Sequence, residues 1–274
     1  MKHALFLPPF GELADPIALA EIAVAAEGAG WDGVFLWDHI LRPASEPPAI
    51  ADPWIAMAAI AMATERIRIG PMVTPLTRRR PIKLARETVT LDHLSRGRLT
   101  LGLGLGVDTS RELSAFGEIV DPRTRGDRLD EGSELLCALW GGKRVDFHGD
   151  HFEADGVTVL PRPVQRPRIP MWFAARDHAR RPVRRAAHYE GLVPVDVDEA
   201  ALSGMLDLVR RERGSLEGFD VAVVPDSPAQ YGSFAELGAT WALTATLPGE
   251  QDVMSTASSP PADVFAGSHR RVPH

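Results

Sequence analysis

Cysteine occurs once in these 274 residues, as Cys137, so the chain can form no internal disulfide and no thiolate metal cluster. Lysine is scarce too: of 30 basic residues only Lys2, Lys83 and Lys143 are not arginine. Acidic residues outnumber basic ones and the formal charge is −7, the wrong sign for a surface that must neutralise phosphates, so nucleic acid is excluded as a partner. Long apolar runs are missing as well. The alanine-rich stretch 18–29 contains Glu21 and Glu27, which rules out a membrane span, and the first apolar run stops at Pro8-Pro9 before a signal segment forms. These absences predict a soluble, cytoplasmic protein with no membrane partner. What remains is an ordinary globular balance, 45% apolar and 24% charged, at a length that suits one α/β barrel of about 250 residues.

Short β-branched runs alternate with longer segments of helical period, the pattern of βα units around a parallel sheet. Strands are predicted at 4–7, 34–37, 67–73, 98–105, 170–174, 191–195, 219–224 and 240–246. Asp15-Pro16 and Asp52-Pro53 each supply an N-cap followed by proline at the first helical position. Eight strands with interleaved helices favour a (β/α)8 TIM barrel over an open doubly wound sheet. Residues 144–160 break the rhythm and read as a hairpin excursion turning at Gly149-Asp150, before the fifth strand. The barrel domain is expected over 1–250. An irregular tail is expected over 251–274, with a short helix near 251–257.

In such a barrel the carboxyl ends of the strands carry the chemistry. The second strand, Gly-Val-Phe-Leu-Trp-Asp-His (33–39), ends on Asp38 and His39, two titratable side chains placed there together. Histidine exchanges a proton near neutral pH, so His39 is the candidate catalytic residue, with hydrogen bonding to a ligand or loop carbonyl as its plainer role. Other clusters read as less eventful. Arg78, Arg79 and Arg80, like Arg180 and Arg181, are taken as solvated helix starts. Arg125 is a candidate contact across the strand ends, and Arg128 is assigned to ion pairing within its helix. Asp146, His148, Asp150 and His151 have the composition of a metal cluster but read as a surface turn, and no metal site is predicted. Cys137, set among Leu135, Leu136, Leu139 and Trp140, reads as a buried, inert thiol.

Several separated motifs, in order, resemble the luciferase-like monooxygenase superfamily of FMN- and coenzyme F420-dependent oxidoreductases. They are residues 26–39, 83–104 (Lys-Leu-Ala-Arg-Glu-Thr through Leu-Gly-Leu-Gly), 128–132, 161–172 and Gly-Ala-Thr-Trp at 238–241. The resemblance implies a flavin or deazaflavin ring, FMN or F420, lying across the strand ends, with Asp38 beside it and His39 as base for hydride transfer. It also implies a cis peptide in the bulge that ends the third strand, placing Val73 and Thr74 at the ring. Gly102 and Gly104 are assigned to close approach of the ring or, equally, to tight packing inside the barrel. Relatives hold the cofactor phosphate on glycine amides after the fifth strand, where this chain has Ala174, Ala175 and Arg176. Alanine disfavours a tight glycine-type loop, and Arg176 is the candidate to pair with phosphate instead.

The resemblance further implies a small-molecule substrate, a flavin or F420 reductase as partner, and a homodimer through helices beside the second and third strands, where Ala56, Ala59 and Ala63 permit close packing. Two other functions remain open: a metal-dependent barrel hydrolase built on Asp38 and His39, and a non-catalytic flavin-binding member.

Overall fold

A computed structural model describes residues 1–42, 47–176, 180–246, 249 and 252–267. The chain runs β1 (Lys2–Leu7), α1 (Pro16–Ala29), β2 (Gly33–Leu36), α2 (Pro53–Ala63), β3 (Arg68–Pro71), β4 (Thr74–Pro75), α3 (Pro81–Leu94), β5 (Leu101–Gly104) and α4 (Pro122–Trp140). After the hairpin β6 (Arg144–His148) and β7 (Glu153–Thr158) come β8 (Met171–Arg176), α5 (Arg180–Ala187), β9 (Gly191–Val195), α6 (Glu199–Arg213), β10 (Asp220–Val223), α7 (Pro228–Leu237) and β11 (Trp241–Ala245). The short helices α8 (Val253–Ser258) and α9 (Pro261–Gly267) follow.

One parallel sheet runs in the order β3-β2-β1-β11-β10-β9-β8-β5-β4. β3 and β4 are two halves of one strand, separated by the cis Met72–Val73 peptide that the resemblance implied. The sheet closes because the Ile69 amide donates to the Arg98 carbonyl and the Thr100 amide to that of Ile69, at 3.1 and 2.9 Å. Eight barrel positions result, as the alternation predicts. The hairpin stands apart as its own two-stranded sheet, its turn held by Glu131, which accepts from the His151 and Phe152 amides at 3.0 and 2.6 Å.

Helix starts are written in the sequence. Asp15 accepts from the Ile17 amide and Asp52 from those of Trp54 and Ile55, each ahead of a proline that has no amide to satisfy. α4 begins at Pro122, because Asp121-Pro122 is a third copy of the same device. The helix expected near 251–257 is α8, which buries Val253 and Ala257 and packs against α1. The Trp31 indole donates to the Ser259 carbonyl at 3.0 Å and anchors its end. No helix among the described residues is long and apolar enough to cross a membrane.

The core has two layers. Most buried residues lie between sheet and helices, while a second cluster fills the barrel interior around Phe35, Trp172 and Trp241, whose ring centroids are 5.5–5.8 Å apart. Each such side chain contributes roughly 1.5–3 kcal/mol through burial, so this layer is a plug as well as a wall. Glycine makes room for it: a Cβ on Gly33 would press on Ala4, Phe35 and Trp241 at 3.1 Å, and one on Gly191 would overlap Trp172. On α2, Ala56 is buried within the chain itself, because this helix packs on both α1 and α3, and the outward side chains include Ile55 and Met62.

Candidate active site

Asp38 and His39 stand where β2 leaves the barrel, and their surroundings come from three other loops. The Asp38 carboxylate is buried and accepts from the Thr74 hydroxyl at 2.7 Å, Arg79 at 2.8 Å, Arg78 at 3.0 Å and, more loosely, the Trp54 indole at 3.4 Å. Two guanidinium groups on one carboxylate offset the cost of desolvating it. Arg78 also donates to Glu112 at 2.6 Å, and the Nδ1–H of His39 donates to the other oxygen of the same carboxylate. The result is a continuous chain: Arg79, Asp38, Arg78, Glu112, His39.

Arg78 and Arg79 are thus not solvated helix starts. Their side chains are 8% and 19% exposed, because the residues directly after β4 turn over the strand ends before α3 begins. Glu112 escaped sequence reasoning entirely. It sits in an irregular loop after β5, with no periodicity or motif to mark it, yet its side chain is only 2% exposed. That loop is pinned from both ends. Arg125 of α4 donates to the Leu105 and Gly106 carbonyls at 3.0 and 2.9 Å, where Gly106 takes a left-handed φ of 71°. Further on, the Leu113 and Ser114 amides donate to Asp108 and lower its pKa. Burial lowers the Arg125 pKa in turn.

Above the plug, the mouth is lined by small and flat side chains. Val73 and Ala174 lie on either side of Gly104, whose added Cβ would stand 2.6 Å from Val73 Cγ2 and 3.6 Å from the Ala174 Cβ. A Cβ on Gly102 would overlap the Pro71 carbonyl oxygen. Both glycines therefore face inward, with protein atoms in the space their side chains would take. Phe10, Trp37 and His39 form an aromatic corner with ring centroids 5.9–6.1 Å apart, and the Trp37 Nε1 is buried with no hydrogen-bond partner. An apolar wall of Val73, Gly104 and Ala174, with no side chain projecting from Gly104, fits the face of a flat heteroaromatic ring.

Three sequence readings on the opposite side of the mouth change. Ala175 and Arg176, expected past the end of the fifth strand at 174, are with Ala174 the last residues of β8, because pairing with β9 extends to Arg176 opposite Val195. The turn that follows, 177–179, lies outside the described residues. Arg176 is on the same rim as His39 but is exposed and ion-paired with Asp196, so its charge is already matched. Arg181, taken as solvated, bridges Asp127 and Asp130 of α4 at 2.6 Å, and Arg185 joins it on Asp130. Those aspartates face α5, so Arg128 has no intrahelical pair and instead lies 4.8 Å over the Phe152 ring.

Comparison with known proteins points one way. A family model described as luciferase-like monooxygenase matches residues 4–236. The F420-dependent glucose-6-phosphate dehydrogenase of Nakamurella multipartita is 34% identical over 169 residues, 60% of this chain and 48% of that one. The chain spans about half the length of the first curated relatives it matches. Among solved structures, an F420-dependent secondary alcohol dehydrogenase in complex with an F420–acetone adduct superposes with a TM-score of 0.81 at 19% identity, covering 97% of this chain and 98% of that one. A monooxygenase from Streptomyces bottropensis gives 0.69 at 24% identity, covering 97% and 80%. At these identities the structural likeness is one of fold.

Proposed function

Because the chain belongs to the luciferase-like monooxygenase family, we propose that it is an oxidoreductase of that family, binding F420 or FMN across the carboxyl end of the barrel. Within that choice, the reading is F420-dependent hydride transfer between a small alcohol and its carbonyl. The observation that carries it is the His39–Glu112 pair. A buried carboxylate on Nδ1 fixes the imidazole in one orientation and one tautomer, so Nε2 is left as the acceptor facing the mouth.

When bound, the cofactor ring supplies the hydride acceptor, and Val73, Gly104 and Ala174 would back it. The chain's own residues do the rest. Nε2 of His39 takes the substrate hydroxyl proton as the carbon–hydrogen bond gives up its hydride and the carbonyl forms; in reverse it returns the proton. Arg78 holds Glu112 in place, and Asp38 holds Arg78. The plug of Phe35, Trp172 and Trp241 closes the barrel to water from below.

The supporting relatives are F420-dependent dehydrogenases, one by sequence and one by fold over nearly its whole length. Fluorescence titration with F420 and FMN tests the reading: micromolar or tighter binding of F420 and loss of deazaflavin absorbance with secondary alcohols are expected. Binding of neither cofactor overturns it. Oxygen uptake with reduced FMN would replace hydride transfer by the monooxygenase reading.

A further inference from the structure

One cation among the described residues at the mouth stands outside the chain of ion pairs. Asp38 and Glu112 are matched by Arg78 and Arg79, and His39 closes the chain. Arg42, three residues beyond His39, is a further cation there. It makes no ion pair or hydrogen bond among the described residues. Its guanidinium lies 5.6 Å from the Phe10 ring centroid and 5.9 Å from that of Trp37, the two rings that also flank His39. Phe10 is itself fixed by an antiparallel bridge to Ile50 and by the Ala51 amide donating to the Pro9 carbonyl at 2.9 Å. The cation is therefore held by rigid aromatic walls, and among the described residues nothing takes up its N–H donors. Beside it, the Trp37 Nε1 is a second donor without an acceptor.

We propose that Arg42 is a specificity residue which binds an anionic group on the substrate, so that the preferred substrates are small hydroxy acids or oxo acids rather than neutral alcohols. A guanidinium stacked on aromatic faces still offers its edge to a carboxylate, and the fork of two N–H groups matches the two oxygens. Proximity to His39 sets the register: with the carboxylate on Arg42, a hydroxyl a few bonds away reaches Nε2. The cofactor's own phosphate is a different anion, and the β8 end, not β2, is the rim assigned to it. This inference rests on the proposed oxidoreductase reading for its substrate, but the binding of an anion beside Arg42 does not require turnover.

The test uses matched pairs, sec-butyl alcohol with β-hydroxybutyrate and the corresponding longer homologues. In the F420-loaded wild-type protein, kcat/KM is expected to favour the hydroxy acid, and Arg42→Met to raise its KM about tenfold or more, the worth of one charge-assisted contact. KM for the neutral alcohol and Kd for F420 should not change, and Arg42→Lys should restore part of the loss. Saturation-transfer NMR on protein without cofactor gives the second readout: β-hydroxybutyrate binds wild type and not Arg42→Met. Equal effects of Arg42→Met on both members of each pair, a weakened F420 Kd, or no selective binding of the hydroxy acids by NMR would each overturn the proposal. Failure to bind F420 with the NMR selectivity intact would instead remove the cofactor reading and leave the anion site standing.

Discussion

Glu112 accepts a hydrogen bond from the Nδ1–H of His39, 73 residues earlier in the chain, and at the same time a 2.6 Å hydrogen bond from Arg78. One carboxylate therefore ties the loop after β5 to the ends of β2 and β4, and the imidazole inherits its orientation from both.

Replacing Glu112 with Gln keeps the shape but adds a donor, so Nδ1 is no longer confined to one tautomer. Activity with F420 should fall on the order of 10²–10⁴-fold, the usual worth of general acid–base catalysis, and His39→Ala should fall by a similar factor. The double variant should lose little more than either single one, since the two act as a unit. Histidine ring-nitrogen NMR separates this from mere loosening: the single Nδ1-protonated tautomer of His39 should give way to a mixture of both tautomers in Glu112→Gln while F420 affinity holds. Full additivity of the two losses would refute the pairing.

Asp38 has a different duty. Its carboxylate is the shared acceptor for Arg78 and Arg79, so Asp38→Ala strands Arg79 and leaves Arg78 with Glu112 and the backbone carbonyl of residue 38. A destabilisation of about 3–5 kcal/mol is expected, as for other buried pairs that lose one partner. Urea unfolding monitored by circular dichroism would measure it, and a change below about 1 kcal/mol would show that water reaches the cluster.

The two inward glycines of β5 should respond unequally. At Gly102 an added methyl meets the Pro71 carbonyl, which is backbone and cannot step aside; at Gly104 it meets the tip of the Val73 side chain, which can rotate. Gly102→Ala should therefore cost more stability than Gly104→Ala, by about 1–3 kcal/mol. Gly104→Ala should instead weaken cofactor binding, because Val73 is displaced into the mouth. Thermal melts and cofactor titration on the two variants give the comparison, and the reverse order of stability would count against this packing.

Acid should weaken the α4–α5 contact first. Burial pushes the Asp130 carboxyl up, but hydrogen bonds and charge from Arg185 and Arg181 outweigh it and hold the pKa below its ordinary 3.8. A folded-state pKa beneath the unfolded one stabilises fully above about pH 3.8 and loses that contribution as pH falls through the folded value. Asp130→Asn should cost about 1–3 kcal/mol at neutral pH, reduced by solvent at a residue one-third exposed, and the gap to wild type should close in strong acid. A gap that stays constant with pH would show that the ion pairs contribute nothing.

Much of the barrel was legible because its signals are local. An Asp-Pro pair fixes where a helix starts whatever surrounds it, and a β-branched run between two such helices is a strand in any α/β context. Asp38 and His39 were legible for the same reason, since the end of a barrel strand is a position that sequence order reveals. The readings that changed all depended on what lies across a gap. Arg78 and Arg79 turned inward because a carboxylate from another strand waits beneath them; Arg181 stays half exposed but gains ion pairs because α4 presents Asp127 and Asp130; the strand runs on to Arg176 because β9 extends alongside it.

The sequence by itself determined the alternation of strands and helices and the pair of titratable side chains at one strand's end, because hydrogen-bond capping and side-chain periodicity act within a few residues. Only the tertiary structure decided that Glu112 is the partner of His39 and that Arg42 stands against Phe10 and Trp37. Charge and ring contacts act through space over a few ångströms, and closure of the barrel alone brings those loops within that range.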